Sequence, residues 1–215
     1  STNAEDMFHG GAIFVDNATG YLDVRHQVTL SAADTIKSKL KFERDGHTFG
    51  VTVVDYHTDN GVFKSDAFLS ELFSRNQNIR LSGSGAAHQN GVAERAILTV
   101  TLMARTMMLH AAMRSHMTSP DMWPMAIDHA VWIYNRLPRM DTGVSPLELW
   151  SRSTGQMAHR DVLANCHVWG APVFVLEPKL QKSGVKIPKW APRSRQGINV
   201  GFSRMHSSLV TLVLN

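Results

Sequence analysis

Two carboxylates occupy similar settings in this chain. Asp59 follows the apolar run Val51-Thr-Val-Val54, inside Tyr56-His-Thr-Asp-Asn-Gly-Val-Phe63. Glu94 lies in Ala87-His-Gln-Asn-Gly-Val-Ala-Glu-Arg95, at the start of a long apolar-periodic segment. Each acid has an Asn-Gly pair beside it, Asn60-Gly61 and Asn90-Gly91, which permits a sharp change of chain direction. The 35 residues from Asp59 to Glu94 suffice for a helix, a strand and a loop to return the chain to the same edge. Carboxylates are hard oxygen ligands suited to magnesium or manganese, and two such ions side by side activate a nucleophile and stabilise a leaving oxygen in phosphodiester chemistry. Such sites usually add a third acid. Each acid alone also has a plainer reading: Asp-Asn-Gly is a common turn, and an acid in a first helical turn complements the helix dipole.

The surrounding pattern supplies elements that would position them. Gly11–Val15 and Tyr21–Val28 read as a hairpin joined by Asp16-Asn-Ala-Thr-Gly20. Ser31 with Asp34 resembles a capping box for a helix to about Arg44, in which Ala33, Ile36 and Leu40 fall at helical spacing. Val51–Val54 reads as a buried strand, residues 66–75 as a helix with Phe68, Leu69, Leu72 and Phe73 on one side, and Ile79–Leu81 as a strand. A long helix is expected from Gly91, with a stripe through Val92, Ala96, Val100, Met103, Met107 and Ala111. Another is expected from Asp121 to Leu137, stopped by Pro138. After Trp150 the texture changes to short strands, at Val168–Leu176, Gly197–Phe202 and Leu209–Leu214. The expectation is an α/β domain over 1–150 and a small basic all-β module over 151–215.

Composition narrows the function classes. A chain of 215 residues with 43% hydrophobic content supports a core, which excludes a disordered or fibrous protein. The single Cys166 makes no internal disulfide and no thiolate zinc cluster, so an intracellular setting is expected. No run of 18 apolar residues and no basic-then-apolar leader is present, so no membrane association is expected. The net charge of +4 is unevenly spread: seven of the 22 Lys and Arg residues fall in 178–215 with no acid, leaving 15 against 18 acids before it. Such a basic end fits a polyanion, or simply solvates a small β unit. Trp190 stands among Lys186, Lys189, Arg193 and Arg195, where it would stack on nucleic acid or fill the core of the β module. Met103, Met107, Met108 and Met113 read as core fillers, Trp123, Trp132 and Trp150 as packing anchors, and His57 as either a structural histidine or one that orients a ligand.

Taken together, His57-Thr-Asp-Asn-Gly followed by Gln89-Asn-Gly-Val-Ala-Glu-Arg resembles the catalytic core of retroviral and retrotransposon integrases, most closely copia-type elements. The resemblance continues through Phe14-Val-Asp-Asn-Ala-Thr-Gly-Tyr21, Trp123-Pro-Met-Ala, Tyr134-Asn-Arg-Leu-Pro138 and Ser145-Pro-Leu-Glu-Leu-Trp150. Val168-Trp-Gly-Ala-Pro-Val, Arg193-Ser-Arg-Gln-Gly and Val200-Gly-Phe-Ser203 are similar to the segment after the core in copia-type polyproteins, so the likeness spans nearly the whole chain.

The resemblance implies a ribonuclease H-like mixed sheet flanked by helices, with three acids holding two Mg²⁺ or Mn²⁺ ions. Asp59 would be the second acid and Glu94 the third. Gln89, Asn90 and Arg95 would contact DNA near the reacting end, and the basic end, through Lys186, Lys189, Arg193 and Arg195, would hold phosphates. The implied activity is trimming of DNA 3′ ends and their joining to target DNA, within a Gag-Pol polyprotein, in the nucleus and as a homo-oligomer. Three departures stand out. The family's first acid lies on a strand before Ile13–Val15, which is expected to be missing, with Asp16 (a turn residue in Asp-Asn-Ala-Thr-Gly) and Asp6 the remaining stand-ins. The family's zinc-binding amino-terminal module is absent, and the stretch before Gln89 lacks the usual proline. The isolated chain is therefore expected to be poorly active. The alternatives are an inactive nucleic-acid-binding remnant and a two-metal nuclease that cuts without joining.

Overall fold

The structure is a computed structural model and describes residues 7–83, 90–155, 160–181, 186, 188–204, 206 and 210–215. The chain divides into two compact units, residues 1–101 with 131–158 and residues 102–130 with 159–215. The divisions fall inside two helices, α3 (Gly91–Ala112) and α4 (Trp123–Arg136).

The first unit opens with the expected hairpin. Strands β1 (Gly10–Val15) and β2 (Leu22–Gln27) pair antiparallel, Val15 opposite Leu22. The Asp16 carboxylate closes the turn by accepting from the Thr19 N–H at 2.8 Å and its hydroxyl at 2.6 Å. Gly20 ends the turn at φ +69°, a conformation that L side chains rarely adopt. Helix α1 (Ala32–Thr48) starts at Ser31, whose hydroxyl accepts from the Asp34 N–H. The Asp34 carboxylate turns outward to Thr29 instead of completing the box, and those bonds pull its pKa down to about 2.

The face that α1 buries is polar. Thr35, Ser38, Lys39 and, near its end, Gly46 are its buried residues, while Ala33 is exposed. Gln27 on β2 donates to Ser38 at 2.9 Å, so hydrogen bonding fixes the rotation of the helix against the hairpin. Lys39 has no exposed surface and places its Nζ 3.0 Å from Glu43 and 3.7 Å from Glu71. Tyr56 donates to Glu43 at 2.6 Å, and Gln77 donates to the same oxygen at 2.8 Å and to the Val53 carbonyl at 2.9 Å. Burial raises the Glu43 pKa, but the bonds from Tyr56, Gln77 and Lys39 outweigh it, and the carboxyl stays below its ordinary range. Burial, reinforced by Glu43, pushes the Tyr56 phenol up.

This network also explains a shift in β3. The expected strand at Val51–Val54 is instead β3 at Asp55–Thr58. Val51 donates to Gly46 to close the end of α1, and the Val53 and Val54 carbonyls are taken by Gln77 and Asn78, so regular pairing begins only at Asp55. Strand β4 (Asn78–Leu81) runs parallel to β3, with Thr58 opposite Leu81. The parallel connection is α2 (Asp66–Ser74), which buries Phe68 and Leu72 against Tyr56 and leaves Phe73 83% exposed. Parallel and antiparallel pairs together give the mixed character expected, in two separate two-stranded sheets among the described residues.

Helix α3 buries Ala96, Val100, Ala104 and Ala111 from the predicted stripe or beside it, while Val92 is exposed. Helix α4 ends before Pro138 as expected, and its Asn135 holds both the N–H and the C=O of Leu22 on β2, at 2.8 and 2.7 Å. Helix α5 (Pro146–Ser153), not foreseen as an element, has a complete start signal: Ser145 and Glu148 cap reciprocally with Pro146 at the first position. Its Trp150 is buried and stacks on Tyr21 at 4.9 Å, the packing role expected of it.

In the second unit β5 (Pro172–Leu176), β6 (Ser194–Phe202) and β7 (Thr211–Leu214) form an antiparallel sheet, with a short helix α6 (Pro178–Gln181) after β5. Trp169, Ile198 and Val200 are buried there. Gly170, at φ +76°, lies so close to Ala111 that a Cβ would overlap that side chain. His129 of α4 stacks on Phe202, and burial lowers its pKa to about 4.

Two outcomes follow from this packing. Replacing Tyr56→Phe removes a hydrogen bond to a charged acceptor, and urea unfolding should show a loss of about 1.5–3 kcal/mol; an unchanged midpoint would contradict the network. His129 binds its proton less readily folded than unfolded, so the stability it contributes is full above the ordinary pKa of 6.5 and is lost as pH falls towards 4. That loss is on the order of 3 kcal/mol, and His129→Gln should flatten the pH dependence of the melting temperature over this window.

Candidate active site

Asp59 stands one residue beyond β3, at the carboxyl end of a parallel strand, where open α/β sheets bind ligands. Its loop is fastened to the end of β4. Ser82 donates its N–H to the Thr58 carbonyl at 3.0 Å, and the Asn60 side chain donates to the Ser82 carbonyl at 2.6 Å. Asp59 Oδ1 accepts from the Gly61 N–H at 3.1 Å, which orients the carboxylate and leaves Oδ2 without a hydrogen bond among the described residues. A Cβ on Gly61 would meet that Oδ1 at 3.2 Å, so the glycine lets the turn close on the acid. At Gly91 a Cβ would meet nothing within 4 Å, so no close approach requires that glycine.

Glu94 lies in the first turn of α3 and is exposed. Its carboxylate makes no hydrogen bond or ion pair among the described residues. The segments carrying the two acids meet at one cavity of about 390 Å³, lined by Thr58, the residue before Asp59, and by Ala93, the residue before Glu94. Asn90 and Val92 from the start of α3 line it, as do Phe14, Val15 and Asp16 from the hairpin and Asp55 and His57 from β3. His57 is exposed on the strand, and Asp55 is ion-paired with Arg80.

Asp16 reaches the same cavity, but one of its oxygens is committed to Thr19 in the turn. No group of three or more His, Cys, Asp or Glu side chains that could hold a metal is present among the described residues. The donor chemistry of Asp59 and Glu94 suits a hard divalent ion: both are exposed carboxylates with oxygens left over for a ligand.

Other expected site residues are more scattered. Arg95 is exposed beside Glu94 with no ion-pair partner among the described residues, and Gln89 and Asp6 lie outside those residues. In the second unit Lys186, Lys189 and Arg193 are exposed, whereas Arg195 on β6 pairs with Glu177 at 3.3 Å. Sequence reasoning missed the Asn60–Ser82 tie. The Asn before Gly61 was a signal for it, but was read only as a turn former. No helix of the described residues is long and apolar enough to cross a membrane.

No family model matches the sequence. Among solved structures, the magnesium-bound trimeric HTLV-2 integrase catalytic core domain is similar with a TM-score of 0.50 at 20% identity, over 64% of this chain and 82% of that one. The BIV integrase catalytic core domain is similar with a TM-score of 0.51 at 15% identity, over 69% and 91%. The simian T-cell lymphotropic virus intasome in complex with the PP2A regulatory subunit B56 gamma gives 0.53 at 15% identity, over 88% and 62%. At these identities the likeness shows the fold alone: a mixed α/β, ribonuclease H-like fold as expected, similar to that of retroviral integrase catalytic cores.

Proposed function

We propose that this chain is the integrase core of a copia-type retrotransposon, derived from a Gag-Pol polyprotein, that acts on DNA phosphodiesters through Asp59 and Glu94. Residues 1–150 form the catalytic core in this reading and residues 151–215 the basic module. The observation that carries it is the meeting of the two acid-bearing segments at one cavity, in a chain with an integrase-core architecture. The likeness to a magnesium-bound core supports Mg²⁺ or Mn²⁺ as the cofactor, and the trimeric core and the intasome support self-association and work on DNA. Action on chromosomal DNA would take place in the nucleus.

The residues present have defined tasks. Asp59, oriented by the Gly61 N–H, and Glu94, with no competing partner among the described residues, would hold the metal between the end of β3 and the start of α3. When bound, such ions lower the pKa of an attacking water or hydroxyl and neutralise charge on the leaving oxygen. Arg95 and Asn90 would bind phosphate and sugar groups flanking the scissile bond, a positioning task that needs no base readout. The Asn60–Ser82 bond keeps the β3 loop in place while a polyanion is drawn against it.

A labelled-oligonucleotide cleavage and joining assay with Mg²⁺ or Mn²⁺ tests this. The expected result is weak, metal-dependent activity that Asp59→Asn or Glu94→Gln abolishes and Asp16→Asn retains, because Asp16 serves its turn. Loss in Asp16→Asn would make Asp16 the third ligand. Absence of activity in every form, with DNA binding intact, would replace the catalytic reading with a non-catalytic nucleic-acid-binding protein. Cleavage without joined product would make it a nuclease.

A further inference from the structure

Trp190 is the basic end's one aromatic set among cations, and the structure removes one of its two readings. It is 89% exposed, while the sheet of its unit is packed on Trp169, Ile198 and Val200, each 4% exposed or less. A core role is therefore excluded. The Ala191 N–H donates to the Pro188 carbonyl at 3.0 Å and closes a four-residue turn. Lys189 and Trp190 are its two central residues, so the turn presents an ammonium and an indole together.

The local chemistry selects a ligand. Lys189 Nζ lies 5.5 Å from the centroid of the Trp190 ring, and the high exposure leaves the rest of the ring open to solvent. Arg193 follows three residues later, exposed and without an ion-pair partner among the described residues. Arg195 differs, because Glu177 already neutralises it. An open indole with Lys189 against its ring and the exposed Arg193 three residues on in sequence matches a ligand that offers a flat π-face between two phosphates. Bases in a duplex keep their faces stacked on one another; an unpaired base does not.

We propose that the Lys189–Trp190 turn binds single-stranded nucleic acid, an unpaired base stacking on Trp190 while Lys189 and Arg193 neutralise the adjoining phosphates. This deepens the DNA-binding part of the function above and does not depend on Asp59 or Glu94. Exposure makes the test clean, because Trp190→Ala leaves packing untouched and should melt with the parent chain.

The experiment is fluorescence anisotropy of the full chain with labelled oligothymidine and with a labelled hairpin duplex, over a series of KCl concentrations. Trp190→Ala should weaken single-strand binding about 5- to 160-fold, since base–aromatic stacking carries about 1–3 kcal/mol per base. Duplex binding and the salt slope should stay unchanged, and Trp190→Phe should keep most of the affinity. Lys189→Gln should instead flatten the salt slope by about 0.7, the share of one phosphate contact on a single strand. Equal losses on single strand and duplex, or no loss on either, would overturn the proposal. So would loss of binding to phosphatidylserine vesicles in Trp190→Ala with oligothymidine binding unchanged, which would assign the turn to a membrane surface. Anisotropy reads binding without a divalent ion and the cleavage assay reads chemistry with one, so failure of the catalytic reading and failure of this one give different results.

Discussion

A lysine with no exposed surface lies at the centre of the first unit, and the acid-bearing loop depends on how its charge is compensated. Lys39 sits 3.0 Å from Glu43 and 3.7 Å from Glu71, contacts that are ionic more than well-aligned hydrogen bonds. A buried charge is tolerated only when paired, and removing one partner leaves the other uncompensated. Glu43 therefore has to stay where Lys39 reaches it, and Tyr56 and Gln77 hold it there. Those two residues belong to β3 and to the approach to β4, so the charge pair on α1 fixes the parallel strand pair. Apolar contacts of Phe68, Leu72 and Ile79 with Tyr56 act in the same place and in the same direction.

From that anchor the site follows in short steps. The strand ends at Thr58, two residues after Tyr56, Asp59 follows it, and hydrogen bonds from Ser82 and Asn60 tie that end to the end of β4. The chain next returns at the start of α3, where Glu94 stands free among the described residues. The hairpin reaches the same cavity from the other side through Phe14, Val15 and Asp16, and Phe14 stacks on Phe42 of α1 at 4.5 Å. The acids themselves are exposed and carry little structural burden. A rigid interior with exposed, lightly bonded carboxylates at its rim is the arrangement expected where ligands must enter from solvent.

Much of this was legible in the sequence, and the exceptions have physical causes. The hairpin, the helices of residues 66–74 and 91–112 and the stop before Pro138 follow from turn residues, spacing and proline chemistry. The polar part of the buried face of α1, Thr35, Ser38 and Lys39, is not revealed by apolar periodicity, although Ile36 packs against the Tyr56, Phe68 and Leu72 cluster. Strand β3 was placed four residues early because the β-branched run Val51-Thr-Val-Val54 has strand propensity, whereas its backbone is claimed by Gly46, Gln77 and Asn78. The sequence also placed the two acids correctly at a strand end and in a first helical turn. It left Trp190 undecided, since only burial distinguishes a core aromatic from a presented one.

The central claim, that Asp59 and Glu94 share a divalent ion, is tested most directly by a crystal structure of this chain grown in Mn²⁺, with anomalous data. The account predicts an anomalous peak bridging the carboxylates of Asp59 and Glu94, absent from crystals of Asp59→Asn. A peak that persists in the variant, or none at this site while both carboxylates are ordered, would contradict it.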